Sequence, residues 1–403
     1  MSSHDASSQQ SFSRWWAELD PIGRSPSGGY RRFAWTRQDA TLREWFRGAA
    51  GGLGLDVVTD RTGNVWAWWG DPDADGPGVV IGSHLDSVPE GGAFDGPLGV
   101  VSSLAAVEAL QQSGFTPRHP IAVACFGDEE GARFGIACAG SRLLTGALDA
   151  DRARALRDGD GTTMAEAMAA AGHDPQHVGR DDETLRRVGM FVELHVEQGR
   201  GLVDVDSAVG VGSAIWPHGR WRFDLAGRAD HAGTTRLADR TDPMLDLAAL
   251  IQAARAAAER YDAVATVGKV SVNPNGVNAI PSSVSAWLDA RGPDESDVRS
   301  LVADLSDAYG RPDEESWTPR TPFHPTLSAN VVHALEELGE PVPVLETGAG
   351  HDAGVLSQTG IPTSMLYVRN PTGVSHSPLE HAEVDDCLAG VDALTHVVRR
   401  LAQ

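Results

Sequence analysis

His84 and Asp86 lie two residues apart in GSHLDS, so on an extended segment their side chains face the same way. A histidine that holds a metal through one ring nitrogen needs a carboxylate or carbonyl at the other, and Asp86 is placed to provide it. Asp95 follows in FDGPLG, and Glu129 and Glu130 stand side by side in GDEEG. His195 comes near the end of FVELHVEQG, and His376 lies far downstream in GVSHSP. Histidines combined with carboxylates are borderline N/O donors, suited to zinc and acceptable to manganese or cobalt. The chemistry they point to is metal binding.

Any single one of the 14 histidines is more often solvated or structural than a ligand. A Glu-Glu pair alone is usually a solvated edge. His4, His119, His173, His177, His324, His333 and His396 have no supporting context. What sets the first group apart is its joint occurrence after short apolar runs, with glycines crowding each position.

Those runs are the elements that must position the site. Val79, Val80 and Ile81, bounded by Gly78 and Gly82, read as a buried parallel strand. Pro97 opens a helix in which Val100, Val101, Leu104, Val107 and Leu110 recur at helical spacing, with Gly114 at its C-terminal cap. Ile121 to Phe126 is the next strand, and the resulting β-α-β unit predicts an α/β sheet covered on both faces. Phe191 to Val196 and Thr363 to Val368 read as further strands. Ligands bind outside the carboxyl ends of parallel strands, where His84, Glu129/Glu130 and His195 all sit.

Between about Gly212 and Pro322 the texture changes. Strand-like stretches at Trp221–Ala226, Thr266–Val272 and Val277–Asp289 alternate with helices at Pro243–Arg260 and around Asp294–Ala308. The order β-α-β-β-α is most of a ferredoxin-like unit. Its closing strand has little support, because Arg311 to Glu315 is polar and contains Pro312. The organisation expected is a catalytic domain over residues 1–211 and 323–403, interrupted by an inserted domain over 212–322. The fold class is α/β: a mixed sheet sandwiched by helices, with an inserted α+β lid or dimerisation domain.

Composition narrows the function. A chain of 403 residues with 41% apolar content is comfortable for two domains. Its 33 basic against 56 acidic residues leave a net charge of −23, a field that repels nucleic acid and anionic membrane surfaces. Cys125, Cys138 and Cys387 are odd in number and lack CxxC spacing, which excludes a disulfide framework and a thiolate zinc cluster. MSSHDASSQQSFSRWW has no basic region followed by an apolar stretch, so no signal peptide is expected, and no run suits a membrane span. A cytoplasmic protein is expected.

GSHLDSVPEGGAFDGPLGV, GDEEGARFG, ELHVEQG, HAGTT, GVNAIP, GAGHDA and GVSHSPLEH occur in the order found in one family. From about Ile22 to the C-terminus the chain resembles the bimetallic amidohydrolases of the aminoacylase and carboxypeptidase superfamily. The branch it resembles holds N-carbamoyl-L-amino-acid hydrolase, allantoate amidohydrolase and β-ureidopropionase. GAGHDA and ELHVEQG favour that branch over the dipeptidases and deacetylases.

The resemblance implies two divalent metal ions per subunit, zinc first, with manganese or cobalt as alternatives. His84, Asp95 and His195 would bind one ion, Asp95 would bridge, and Glu130 and His376 would complete the other site. Glu129 would be the general base and Asp86 the partner of His84. Neighbours on an extended segment point opposite ways, so Glu129 and Glu130 could divide these roles. Metal binding lowers the pKa of water from about 15.7 to about 7 in favourable cases, and Glu129 would carry its proton to the leaving nitrogen.

The same resemblance implies a homodimer in which His231 of the inserted domain reaches the neighbouring subunit's site as an oxyanion donor. Asn278 and Arg291 map to substrate contacts, Arg291 as a bidentate clamp on the substrate carboxylate. Gly348 and Gly350 offer amides to that carboxylate, and Gln198 stands between substrate contact and turn support. Locally, His231 could cap a turn and Arg291 could pair with Asp289.

The expected substrate is a small carboxylate with a carbamoyl, ureido or formyl-type group on nitrogen, such as allantoate or an N-carbamoyl-L-amino acid. An aminoacylase or dipeptidase, or a binding homologue without activity, are the competing readings. The chain departs from the family at Arg236 and Leu237, where proline and methionine are usual, at Thr347, and in the bulky segment Ile215–Trp221. None of these is an expected metal ligand.

Overall fold

Gly78–His84 and Ile121–Phe126 are buried along their whole lengths, as strands covered on both faces must be. The computed structural model describes residues 6–339 and 341–403, so the N-terminal residues that include His4 lie outside it. The chain divides into two compact units, one ending at Ser213 and resuming over Pro322–Gln403, the other spanning Ala214–Thr321.

Along the first unit run β1 (Asp56–Thr59), β2 (Val65–Trp69), β3 (Gly78–His84), β4 (Ile121–Phe126), β5 (Val188–Val196) and β6 (Val209–Ile215). The second unit holds β7 (His218–Ala226), β8 (Asp230–His231), β9 (Val264–Asn273), β10 (Ala279–Ile280), β11 (Ser283–Arg291) and β12 (Asp313–Thr318). β13 (Thr321–Pro322), β14 (Val344–Thr347) and β15 (Thr363–Val368) follow.

The main sheet is mixed. β4, β3, β5 and β15 are parallel neighbours in that order, flanked by antiparallel β2 and β6. The crossover from β3 to β4 is the helix Pro97–Gln112. Leu98, Val101, Leu104 and Val107 are buried, but so are Ser102 and Ser103, because this helix is enclosed on nearly every side. Its close approach to β5 needs a glycine: a Cβ at Gly99 would fall 2.2 Å from the Leu194 carbonyl oxygen. The carboxyl ends of β3, β4 and β5 therefore lie side by side, which places His84, the GDEEG segment and His195 as neighbours.

In the second unit β7, the helix Pro243–Arg260, β9, β11, the helix Glu295–Tyr309 and β12 follow one another, with sheet order β12-β7-β11-β9, all antiparallel. Burial alternates along β7 and β11, so one sheet face packs Trp221, Phe223, Val284 and Leu288 against Leu250, Val298 and Leu301 of the helices. Val277–Asp289 is not one strand; Pro281 and Ser282 separate β10 from β11.

The closing strand is present, contrary to the sequence expectation. β12 begins at Asp313, just after Pro312, and pairs with β7 through an irregularity between Glu314 and Ser316. It is an edge, and edges are polar: Asp313 pairs with Arg222 and Glu314 with Arg299, while Trp317 packs on the core. Cys125, Cys138 and Cys387 are free and buried. Among the described residues no helix is long and apolar enough to cross a membrane.

Candidate metal centre

Asp95 turns one carboxylate oxygen toward each of two groups of donors. Its Oδ1 lies 3.1 Å from His195 Nε2 and 3.6 Å from His84 Nε2. Its Oδ2 lies 3.4 Å from His376 Nε2, which is itself 3.5 Å from Glu130 Oε2. His84, Asp95 and His195 thus form one triad, and Asp95, Glu130 and His376 a second, with ligand atoms in each within 4.8 Å of one another. Donors about 2.0–2.2 Å from a common ion in a tetrahedron stand roughly 3.3–3.6 Å apart; the contacts given above run from 3.1 to 3.6 Å, close to that spacing. His195 Nε2 is buried and makes no aligned hydrogen bond, as a nitrogen kept for a cation would be. The residues fit a pair of divalent ions.

Local backbone explains the convergence. Asp95 sits in the turn before the helix at Pro97, and Gly96 adopts φ +85°. A Cβ at Gly96 would fall 2.4 Å from His84 Cε1, so only glycine lets the turn close on the imidazole. His376 also has a left-handed backbone, φ +54°, costly for a residue with a side chain.

Both buried imidazoles have their second nitrogen engaged. His195 Nδ1 is 2.9 Å from the Val196 carbonyl. His84 Nδ1 is 3.2 Å from the Asp86 carbonyl and 3.5 Å from its carboxylate, so Asp86 supports His84 first through its main chain. The Asp86 carboxylate instead accepts the backbone N–H groups of Glu129 and Glu130.

Glu129 and Glu130 are not on an extended segment. β4 ends at Phe126, and Asp128 takes φ +54°, so the chain bends immediately before them. The bend, held by Asp86, is what separates their side chains. Glu129 Oε2 lies 3.8 Å from His84 Nε2, with Oε1 accepting the Cys138 thiol at 3.3 Å. Glu130 goes the other way, to His376.

Acid is crowded here. Burial opposes charge on Asp95, yet the imidazoles of His195, His376 and His84 close beside it hold its carboxyl well below the usual range. Burial pushes Glu129 well up despite His84, and pushes Glu130 to about 8. The hydrogen bond to Asp95 raises His376 to about 9. So many buried carboxylates in one place call for cationic neutralisation.

The family model described as peptidase family M20/M25/M40 matches residues 80–400. The chain belongs to that family. Among its relatives, an N-carbamoyl-L-amino acid amidohydrolase of Geobacillus stearothermophilus is 37% identical over 402 residues, covering 96% of this chain and 97% of the relative. An allantoate amidohydrolase of Escherichia coli is 29% identical, covering 95% and 96%. A solved amidase of the hydantoinase/carbamoylase family from Burkholderia vietnamiensis superposes with TM-score 0.89 at 30% identity, covering 99% of each chain. This member of the M20 family is accordingly a hydrolase of the amidohydrolase branch.

In the M20 chain Gln198 joins the centre, donating from Nε2 to Asp95 Oδ2 at 2.9 Å. Gly348 and Gly350 lie on the loop between β14 and the helix Asp352–Gln358. His231, Asn278 and Arg291 belong to the second unit. There β8 pairs with β10, and the Ala232 N–H donates to the Asn278 carbonyl at 3.0 Å, so His231 and Asn278 are brought together. His231 Nδ1 also accepts the Gly233 N–H at 3.0 Å, the local turn-capping contact. Arg291 closes β11 and pairs with Asp289, its Nε at 2.8 Å.

Three buried residues of this family member escaped the sequence reading. His351 packs its ring 4.5 Å from that of His195, Asp352 accepts the Ser141 hydroxyl, and Glu380 bonds to the Asp95 backbone. The first two lie inside GAGHDA and the third inside GVSHSPLEH, so the motifs marked them without giving a role.

Proposed function

We propose that this chain is a two-metal amidohydrolase that cleaves a linear C–N bond in a small carboxylate, an N-carbamoyl-L-amino acid first and allantoate second. The division of the two Asp95 oxygens between the triads is the observation that carries the reading. The greater identity to the N-carbamoyl-L-amino acid amidohydrolase sets the order of substrates.

Bound divalent ions, zinc first and manganese or cobalt as alternatives, would supply an acidified water and a polarised carbonyl. His84, Asp95 and His195 would hold one, and Asp95, Glu130 and His376 the other. Glu129 takes the proton of the attacking water on Oε2, since Oε1 is engaged by Cys138, and returns it to the leaving nitrogen as the C–N bond breaks. Arg291 clamps the substrate carboxylate, exchanging its bond to Asp289 for the ligand, with Asn278, Gln198 and the Gly348 and Gly350 amides as further contacts.

The protein works as a homodimer, with His231 donating to the oxyanion in the neighbouring subunit's site. Exposed Val264 and Val270 on edge strand β9, and exposed Leu245 and Ile251 on the helix Pro243–Arg260, support a second copy as partner. The charge of −23 supports a small-molecule substrate over nucleic acid or a membrane surface.

The deciding assay measures free amino acid and ammonia from allantoate and from N-carbamoyl, N-formyl and N-acetyl amino acids. Ammonia release from an N-carbamoyl-L-amino acid or allantoate is expected. Turnover of N-acetyl substrates alone would make the chain an aminoacylase instead.

A further inference from the structure

Glu380 belongs to neither triad, yet its carboxylate ties together the two loops that serve the second one. It is 5% exposed. Its Oε1 accepts the backbone N–H groups of Phe94 and Asp95, each at 2.9 Å. Its Oε2 accepts the Ser375 hydroxyl at 3.0 Å, next to His376 in sequence. The Ser375 oxygen lies 3.3 Å from Asp95 Oδ2 and 3.1 Å from Gln198 Nε2, so the network closes on the shared carboxylate. The fit is close: a Cβ at Gly92 would fall 2.3 Å from Glu380 Oε1.

The two triads are unequally supported. His84 and His195 are fully buried, each with its second nitrogen engaged. His376 is half-exposed on a strained backbone, four residues before Glu380. Hydrogen bonds to a carboxylate are roughly twice as strong as neutral ones, so Glu380 is a firm fastening shared by the Asp95 turn and the His376 loop.

We infer that Glu380 is a positioning residue for the second triad: by clamping the Asp95 backbone and the Ser375 hydroxyl, it sets the affinity for the second ion far more than for the first, which shares Asp95 but keeps two buried imidazoles. The inference rests on the two-ion reading above. Replacement by alanine leaves two backbone N–H groups without an acceptor and frees the His376 loop. Glutamine keeps the clamp, its carbonyl accepting both N–H groups while its amide donates to Ser375 Oγ, which can accept.

The test is cobalt(II) titration of the chelator-stripped full-length protein, read by calorimetry and by d–d absorption, with thermal melts to verify folding. Wild type is expected to bind two ions; fewer would overturn the two-ion reading itself. With two in wild type, E380A is expected to bind the second ion about 10- to 100-fold more weakly, the usual effect of an outer partner, and to lose much less of the first affinity. E380Q is expected within about threefold of wild type, since every hydrogen bond has a substitute. Folded E380A with both affinities unchanged, or with both weakened equally, would overturn the assignment. If E380A fails to fold, S375A decides: a weaker second ion supports the role, and a wild-type second ion overturns it.

Discussion

Asp86 Oδ2 accepts the backbone N–H of Glu130 at 3.0 Å while its Oδ1 accepts that of Glu129 at 3.1 Å. One buried carboxylate therefore fixes the backbone of the proposed general base and of a candidate metal ligand together, from the strand end that also carries His84. Asp86→Asn forces an amide nitrogen against one of these donors. An unsatisfied buried donor costs about 1–3 kcal/mol. We expect a lower melting temperature and a loss of kcat/KM of roughly 10- to 100-fold. Wild-type kinetics for D86N would show that the clamp has no part in catalysis.

Glu129→Gln should keep both ions and lose turnover. Its Oε1 can still accept from Cys138, but the group facing His84 can no longer take a proton. A general base contributes about 10²–10⁴-fold. Elemental analysis beside kinetics checks this, and a fully metallated, active E129Q would remove Glu129 from the mechanism.

Gly96→Ala should disturb the first triad through His84. Alanine would be held at φ +85° with its Cβ 2.4 Å from the imidazole. Backbone strain of this kind costs about 1–3 kcal/mol. The expected result is a depressed melting temperature and weaker binding of the first ion, measured by cobalt(II) titration. A G96A protein that binds as wild type would mean His84 shifts freely and is not held by the turn.

His231→Ala and Arg291→Ala should each be inactive yet folded and metal-loaded. A lost oxyanion donor costs about 2.7–4 kcal/mol of transition-state stabilisation. If His231 acts across a two-fold interface, mixing the two inactive proteins after subunit exchange makes about half of them heterodimers. Each heterodimer has one intact site of two, so about a quarter of wild-type activity should return. No recovery after demonstrated exchange would return His231 to the local turn contact with Gly233.

Residue type and spacing marked His84, Asp86, Asp95, Glu129, Glu130, His195 and His376 as candidates, because few side chain types suit a metal site and β-α-β periodicity shows where several strands end; the family resemblance divided the roles among them. The same periodicity placed β4, β15 and the helix Pro243–Arg260 at their observed bounds, since buried runs and a leading proline are local signals. Other features depend on long-range geometry. β12 is polar because it is an edge, and which strand lies at an edge is decided by pairing and not by composition. Glu129 and Glu130 diverge through the bend at Asp128 and the Asp86 clamp, where strand alternation offered a simpler but incorrect reason. Glu380 meets the Asp95 backbone 285 positions away, and no local pattern encodes a hydrogen bond across that separation. Candidate donors are a matter of residue chemistry and could be marked along the chain; the side chains that hold them still are a matter of tertiary packing, which brings together segments with no proximity in sequence.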